Sequence, residues 1–134
     1  MQALKKAQIP DELEMQLIKE YIVLPHVLNV FERDMKKMET EQIFKTYKPY
    51  VAKFNLVIGE IVRDLTKIRI EMRKRGIKVY DGDRSEKEVI HEYLCRGYMG
   101  KVAFLWGTLR SDVEIKMNHY LGIYESELVK EGVL

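Results

Sequence analysis

The sequence predicts an all-α fold, an elongated antiparallel three-helix bundle, on three observations. Apolar residues recur at spacings of three and four over long stretches; proline and glycine are sparse; and the strongest turn signals fall at only two places. The 134 residues include 3 prolines and 8 glycines, with 46% hydrophobic and 33% charged residues. That is the composition of an ordinary globular domain with a helical, charge-rich bias. A single helical domain over 1–134 is expected.

The central element spans 47–75. Tyr47, Val51, Phe54, Ile58, Ile61, Leu65, Ile68 and Met72 alternate by four and three, the period of about 3.5 that keeps a seam facing neighbouring helices, as in a coiled coil. Such a rod is roughly 43 Å long. The helix is expected over 41–75, capped by Thr40, with a bend near 48–49 where Pro49 falls too deep for a clean start. Gly76 closes it.

The first helix is expected over 10–39. Pro10 suits the first helical position, and Asp11, Glu12 and Glu14 meet the positive end of the helix dipole. Pro25 removes the hydrogen bond to the carbonyl of Tyr21 and predicts a kink. Around it, 21–31 is apolar on almost every side. A helix apolar all round requires cover all round, which three helices do not supply, so a second copy of the chain is expected to cover it.

The third helix is expected over 86–121. Ser85 and Glu88 match the capping box, and Ile90, Leu94, Tyr98, Val102, Leu105, Leu109, Val113, Met117 and Tyr120 continue at spacings of three and four. Before it, 77–80 is an extended connector and 81–83 a turn, with no second strand to form a hairpin. A loose tail follows at 123–134.

A formal net charge of +2 points to neither a nucleic-acid nor an acidic partner in bulk, so any basic function is local. The single Cys95 permits no intramolecular disulfide and fits a reducing compartment. No apolar run approaches the ~20 residues of a membrane span, and no secretory leader is evident. A cytoplasmic protein without membrane association is expected.

Folding the chain at its two turns sets His26, Asn29, Asn55, Trp106 and Thr108 at one height, with His91 and His119 at opposite ends. Three histidines at three heights cannot share a metal ion. Glu88 and His91 have the Glu-x-x-His spacing of di-iron bundles, but no second motif accompanies them. Cys95 lies one helical turn from His91 and beside Arg96, yet nothing supplies an oxyanion hole, and such a cysteine ordinarily packs as a small hydrophobe. No catalytic residue, metal or cofactor is expected.

Gly97, Gly100, Ala103 and Gly107 would form a small-residue face on the third helix. Each interior glycine costs about 1 kcal/mol relative to alanine, which calls for close packing in return. The candidate interaction surface is therefore Pro25, His26, Leu56, Ile70, Gly100, Trp106 and Gly107. A candidate basic patch comprises Arg63, Lys67, Arg73, Lys74, Arg75, Lys78 and Arg84. Together these features describe a non-enzymatic protein–protein interaction or regulatory protein acting as a homo-oligomer, in the simplest case a homodimer. The alternatives are a nucleic-acid-associated regulator using the basic end of the second helix and, last, a metal-dependent helical-bundle enzyme.

Overall fold

Two long helices pair as a hairpin, and a four-stranded antiparallel sheet and a shorter third helix complete the fold; the computed structural model describes residues 8–124. The order is α1 (Glu12–Glu41), α2 (Lys48–Lys74), β1 (Ile77–Val79), β2 (Asp83–Arg84), β3 (Glu88–Cys95), β4 (Tyr98–Leu105) and α3 (Trp106–Tyr120). The architecture is α+β. It overturns the expected all-α bundle and coiled coil, because the third long helix expected over 86–121 is two strands followed by a helix of 15 residues.

Helix α1 begins with a capping box. The Asp11 carboxylate accepts from the Glu14 amide at 2.8 Å, and the Glu14 carboxylate accepts from the Asp11 amide at 3.1 Å. The helix runs unbroken through Pro25. It ends where Gln42 turns left-handed at φ 47°, while the Thr40 hydroxyl donates back to the Lys36 carbonyl. The chain reverses over 42–47, and α2 starts with Pro49 in its first turn, where a missing amide costs nothing. Gly76, at φ 68°, then turns the chain into β1.

Strand β3 is the hub of the sheet. β4 pairs along its whole length, and β1 and β2 follow one another along its other edge. Cys95 pairs with Tyr98 across a two-residue loop in which Arg96 and Gly97 have φ of 48° and 91°. Positive φ at both positions is what a type I′ hairpin turn requires. The Ser85–Glu88 pattern closes a turn between β2 and β3 instead of capping a helix: the Glu88 amide donates to Ser85 Oγ at 3.2 Å and the Ser85 amide to the Glu88 carbonyl at 2.9 Å.

Val89, Tyr93 and Cys95 of β3, with Phe104 of β4, join Ile22, Leu24, Val27 and Phe31 of α1 and Val57, Ile61, Leu65, Ile68 and Met72 of α2 in one core. Within the apolar girdle around Pro25, Ile22, Val23, Leu24, Val27 and Phe31 are thus buried inside a single chain, while Pro25, His26 and Val30 stay half-buried. The sheet and α3 supply the cover that three bare helices would have lacked. Of the expected loose tail, 125–134 lies outside the described residues.

Candidate functional site

A cleft of about 510 Å³ lies between α1 and α3. One side comes from His26, Asn29, Val30 and Arg33, three and four residues apart and therefore on one face of α1. The other comes from Trp106, Leu109, Arg110 and Val113, spaced likewise on α3. The floor is apolar and the polar lining is guanidinium, amide and imidazole; none of the lining residues is acidic.

Trp106 is held from three directions. Its indole N–H donates to the Ser85 carbonyl at 2.9 Å, its amide donates to the Lys87 carbonyl at 3.2 Å, and the Arg84 guanidinium sits 5.7 Å from the ring centroid. Burial first, then the positive charges of Arg84 and His91, hold the His26 imidazole below its ordinary pKa. The cleft therefore favours the neutral form of the His26 imidazole.

A second polar cluster ties the molecule together. Glu14 is only 3% exposed. Arg96 Nη1 and Nη2 donate to its two carboxylate oxygens at 2.7 and 2.9 Å, and Arg75 lies 3.6 Å away. Arg96 Nη1 also donates to the Arg75 carbonyl at 2.7 Å. The hydrogen bond from Arg96, which outweighs desolvation, brings the Glu14 carboxyl down to about 2. The hairpin tip of the sheet is thereby clamped to the start of α1 and the end of α2. At the far end of α3, the Tyr120 hydroxyl donates to Asp64 at 2.6 Å and Lys116 pairs with Glu20 at 2.8 Å.

The residues singled out from the sequence scatter over several elements. His26 and Trp106 meet in the cleft, joined by Asn29, whereas Asn55 and Thr108 do not line it. Pro25 is half-buried beside His26, and Leu56 and Ile70 stand exposed on α2. Gly100 and Gly107 share no helix face. Gly100 lies in β4 directly opposite Tyr93, and Gly107 is in the first turn of α3. Gly100 is required there by its neighbour: an added Cβ would stand 2.3 Å from the Tyr93 ring.

The basic patch also divides. Arg63, Lys67, Arg73 and Lys74 are exposed on α2. Arg75 turns inward to Glu71 and Glu14. Lys78 lies over Tyr80 and Arg84 over Trp106, on different strands.

His91 and Cys95 sit four residues apart on a strand, roughly 13 Å along it, not one turn apart on a helix. His91 contacts the Tyr80 carbonyl at 2.9 Å, and burial raises the Cys95 thiol pKa. Among the described residues no three His, Cys, Asp or Glu side chains could hold a metal ion together. Nor is any described helix long and apolar enough to cross a membrane. Sequence reasoning missed Arg33 and Arg110, and it set Arg96 beside Cys95 without its bond to Glu14. The first two give no local signal, while Arg-Gly between two apolar stretches was a turn signal.

The fold and cleft define an α+β protein with a helical hairpin, a four-stranded antiparallel sheet and a cationic-rimmed groove. The chain belongs to the YhjD protein family, whose profile matches residues 9–125. It is 27% identical over 105 residues to the uncharacterized protein YhjD of Bacillus subtilis (strain 168), covering 78% of this chain and 87% of that one. No solved structure matches the chain.

Proposed function

We propose that the protein is a non-enzymatic, cytoplasmic interaction protein that works as a homo-oligomer, joined through the free end of the α1–α2 hairpin. The observation that carries this is the absence of any buried residue from 32 to 56. Ile43, Phe44, Tyr50 and Leu56 are each more than half exposed there, at 73%, 52%, 53% and 66%. Phe44 and Tyr50 contact each other at 5.8 Å between ring centroids, forming an aromatic ledge at the turn. Apolar groups gathered at one end of a soluble domain mark an interaction surface, and a second copy is its commonest cover. The buried Cys95 thiol, with its pKa raised, is a poor nucleophile, which supports a role without catalysis.

Sedimentation equilibrium at tens of micromolar tests this. The wild-type chain is expected to associate, and Ile43→Asp with Phe44→Asp to leave a folded monomer with unchanged far-ultraviolet circular dichroism. A wild-type monomer at that concentration refutes the proposal.

A second role, binding the phosphates of nucleic acid, is favoured by one observation. Arg63, Lys67, Arg73 and Lys74 are exposed on α2, and none is in a salt bridge among the described residues. Oligonucleotide binding should then fall steeply with salt and be lost in Arg73→Glu with Lys74→Glu. Absent or salt-insensitive binding removes this role.

A further inference from the structure

We infer that the α1–α3 cleft is a binding site for a small amphipathic organic anion, a flat apolar body bearing a single acidic group. This is independent of self-association through the hairpin end.

Three features select that chemistry. The floor of the cleft, which includes Leu109 and Val113 beside the Trp106 ring, offers an apolar surface for a flat apolar body. The rim brings one guanidinium from each helix, Arg33 and Arg110, with no carboxylate among the lining residues. Among the described residues Arg33 pairs with the neighbouring half-buried Asp34 at 3.2 Å, and Arg110 is in no salt bridge. Two guanidiniums over an apolar floor match a planar acid group attached to an apolar body.

The field has the right sign beyond these two groups. The Arg84 guanidinium, 5.7 Å from the Trp106 ring centroid, adds positive charge beside the cleft and acts on His26 in the same sense as burial, which is the larger effect there. That field disfavours a metal cation, and a neutral apolar ligand would gain nothing from it. The cleft encloses about 510 Å³. That volume falls in the ~300–1,000 Å³ range of small-molecule sites. Trp106 is also immobilised before any ligand arrives, by its bonds to Ser85 and Lys87, so binding does not have to order it.

Trp106 is the protein's single tryptophan, and its fluorescence therefore reports this cleft directly. The probes are 8-anilinonaphthalene-1-sulfonate and its uncharged counterpart N-phenyl-1-naphthylamine, each titrated into the full chain with excitation of Trp106. The sulfonate is expected to quench Trp106 by energy transfer, to bind more tightly than the neutral probe, and to weaken with added salt. Arg33→Gln with Arg110→Gln should weaken the sulfonate by at least about tenfold and leave the neutral probe within about twofold. Arg63→Gln, on the outer face of α2, should change neither.

Both cleft arginines are exposed, so the variants should keep the wild-type melting temperature; a variant that loses it is replaced by Arg110→Gln alone. The inference is overturned by equal affinity for the two probes, by an unchanged double variant, by sulfonate binding that leaves Trp106 unquenched, or by no binding at millimolar probe.

Discussion

Replacing Glu14 by glutamine keeps the shape of the side chain and removes the charge that Arg96 grips with both terminal nitrogens. The carboxylate is 3% exposed, so water cannot take over its role. Breaking one member of a buried ion pair generally costs about 3–5 kcal/mol, and because the Arg96 side chain is 33% exposed the lower end of that range applies here. The titration of the group leads to a similar figure by another route. A displacement of the carboxyl from 4.5 to about 2, at ~1.36 kcal/mol per pH unit, is worth about 3 kcal/mol at neutral pH.

Because the folded-state pKa is depressed, this stabilisation is complete above the unfolded value near 4.5 and fades as pH falls toward about 2. Glu14→Gln should therefore melt about 10 °C below wild type at pH 7, with the gap shrinking steadily between pH 5 and pH 2. Calorimetry or circular-dichroism melts across that range measure it, and a cycle with Arg96→Ala should show the two changes to be strongly non-additive. A variant melting within about 2 °C of wild type at pH 7, or a gap that stays constant on acidification, refutes the reasoning.

Gly100 and Gly107 should respond in opposite directions. Gly100→Ala forces a methyl against the buried Tyr93 ring and should cost about 1–3 kcal/mol. Gly107→Ala meets nothing within 4 Å and should stabilise α3 by up to about 1 kcal/mol, both read from urea unfolding. Cys95 is fully buried with its thiol pKa raised, so the native protein should leave a disulfide reagent such as DTNB unreacted until it unfolds. Prompt native labelling would show that the sheet opens around Cys95, which is paired to both Ile77 and Tyr98.

Where a helix packs along its length, periodicity carried the information. Ile61, Leu65, Ile68 and Met72, three and four apart, are buried along one side of α2. The same spacing misled further on. Ile90, Leu94, Tyr98 and Val102 are each four apart, and four is a multiple of the strand period as well as nearly a helical turn. In the sheet these residues fall on both faces. Ile90 and Leu94 oppose Ala103 and Met99 on one, and Tyr98 and Val102 oppose Cys95 and His91 on the other.

The deciding signals were Arg96-Gly97, whose positive φ values make a hairpin turn, and glycine at Gly100, which a helix interior disfavours and Tyr93 demands. The cleft was legible only as far as His26, Asn29 and Trp106. Arg33 and Arg110 come together through the path of α3 over α1, which depends on the sheet's delivering the chain to Trp106. Glu14 looked like a dipole partner, because its real counterpart lies 82 residues along the chain.

That separation bears on how the chain matures. When both long helices have left the ribosome, the carboxylate at the start of the first has Arg75 within reach, while the strand turn that carries Arg96 follows later. That turn is thus the last of the three parts to arrive, and its guanidinium latches the start of the first helix to the end of the second.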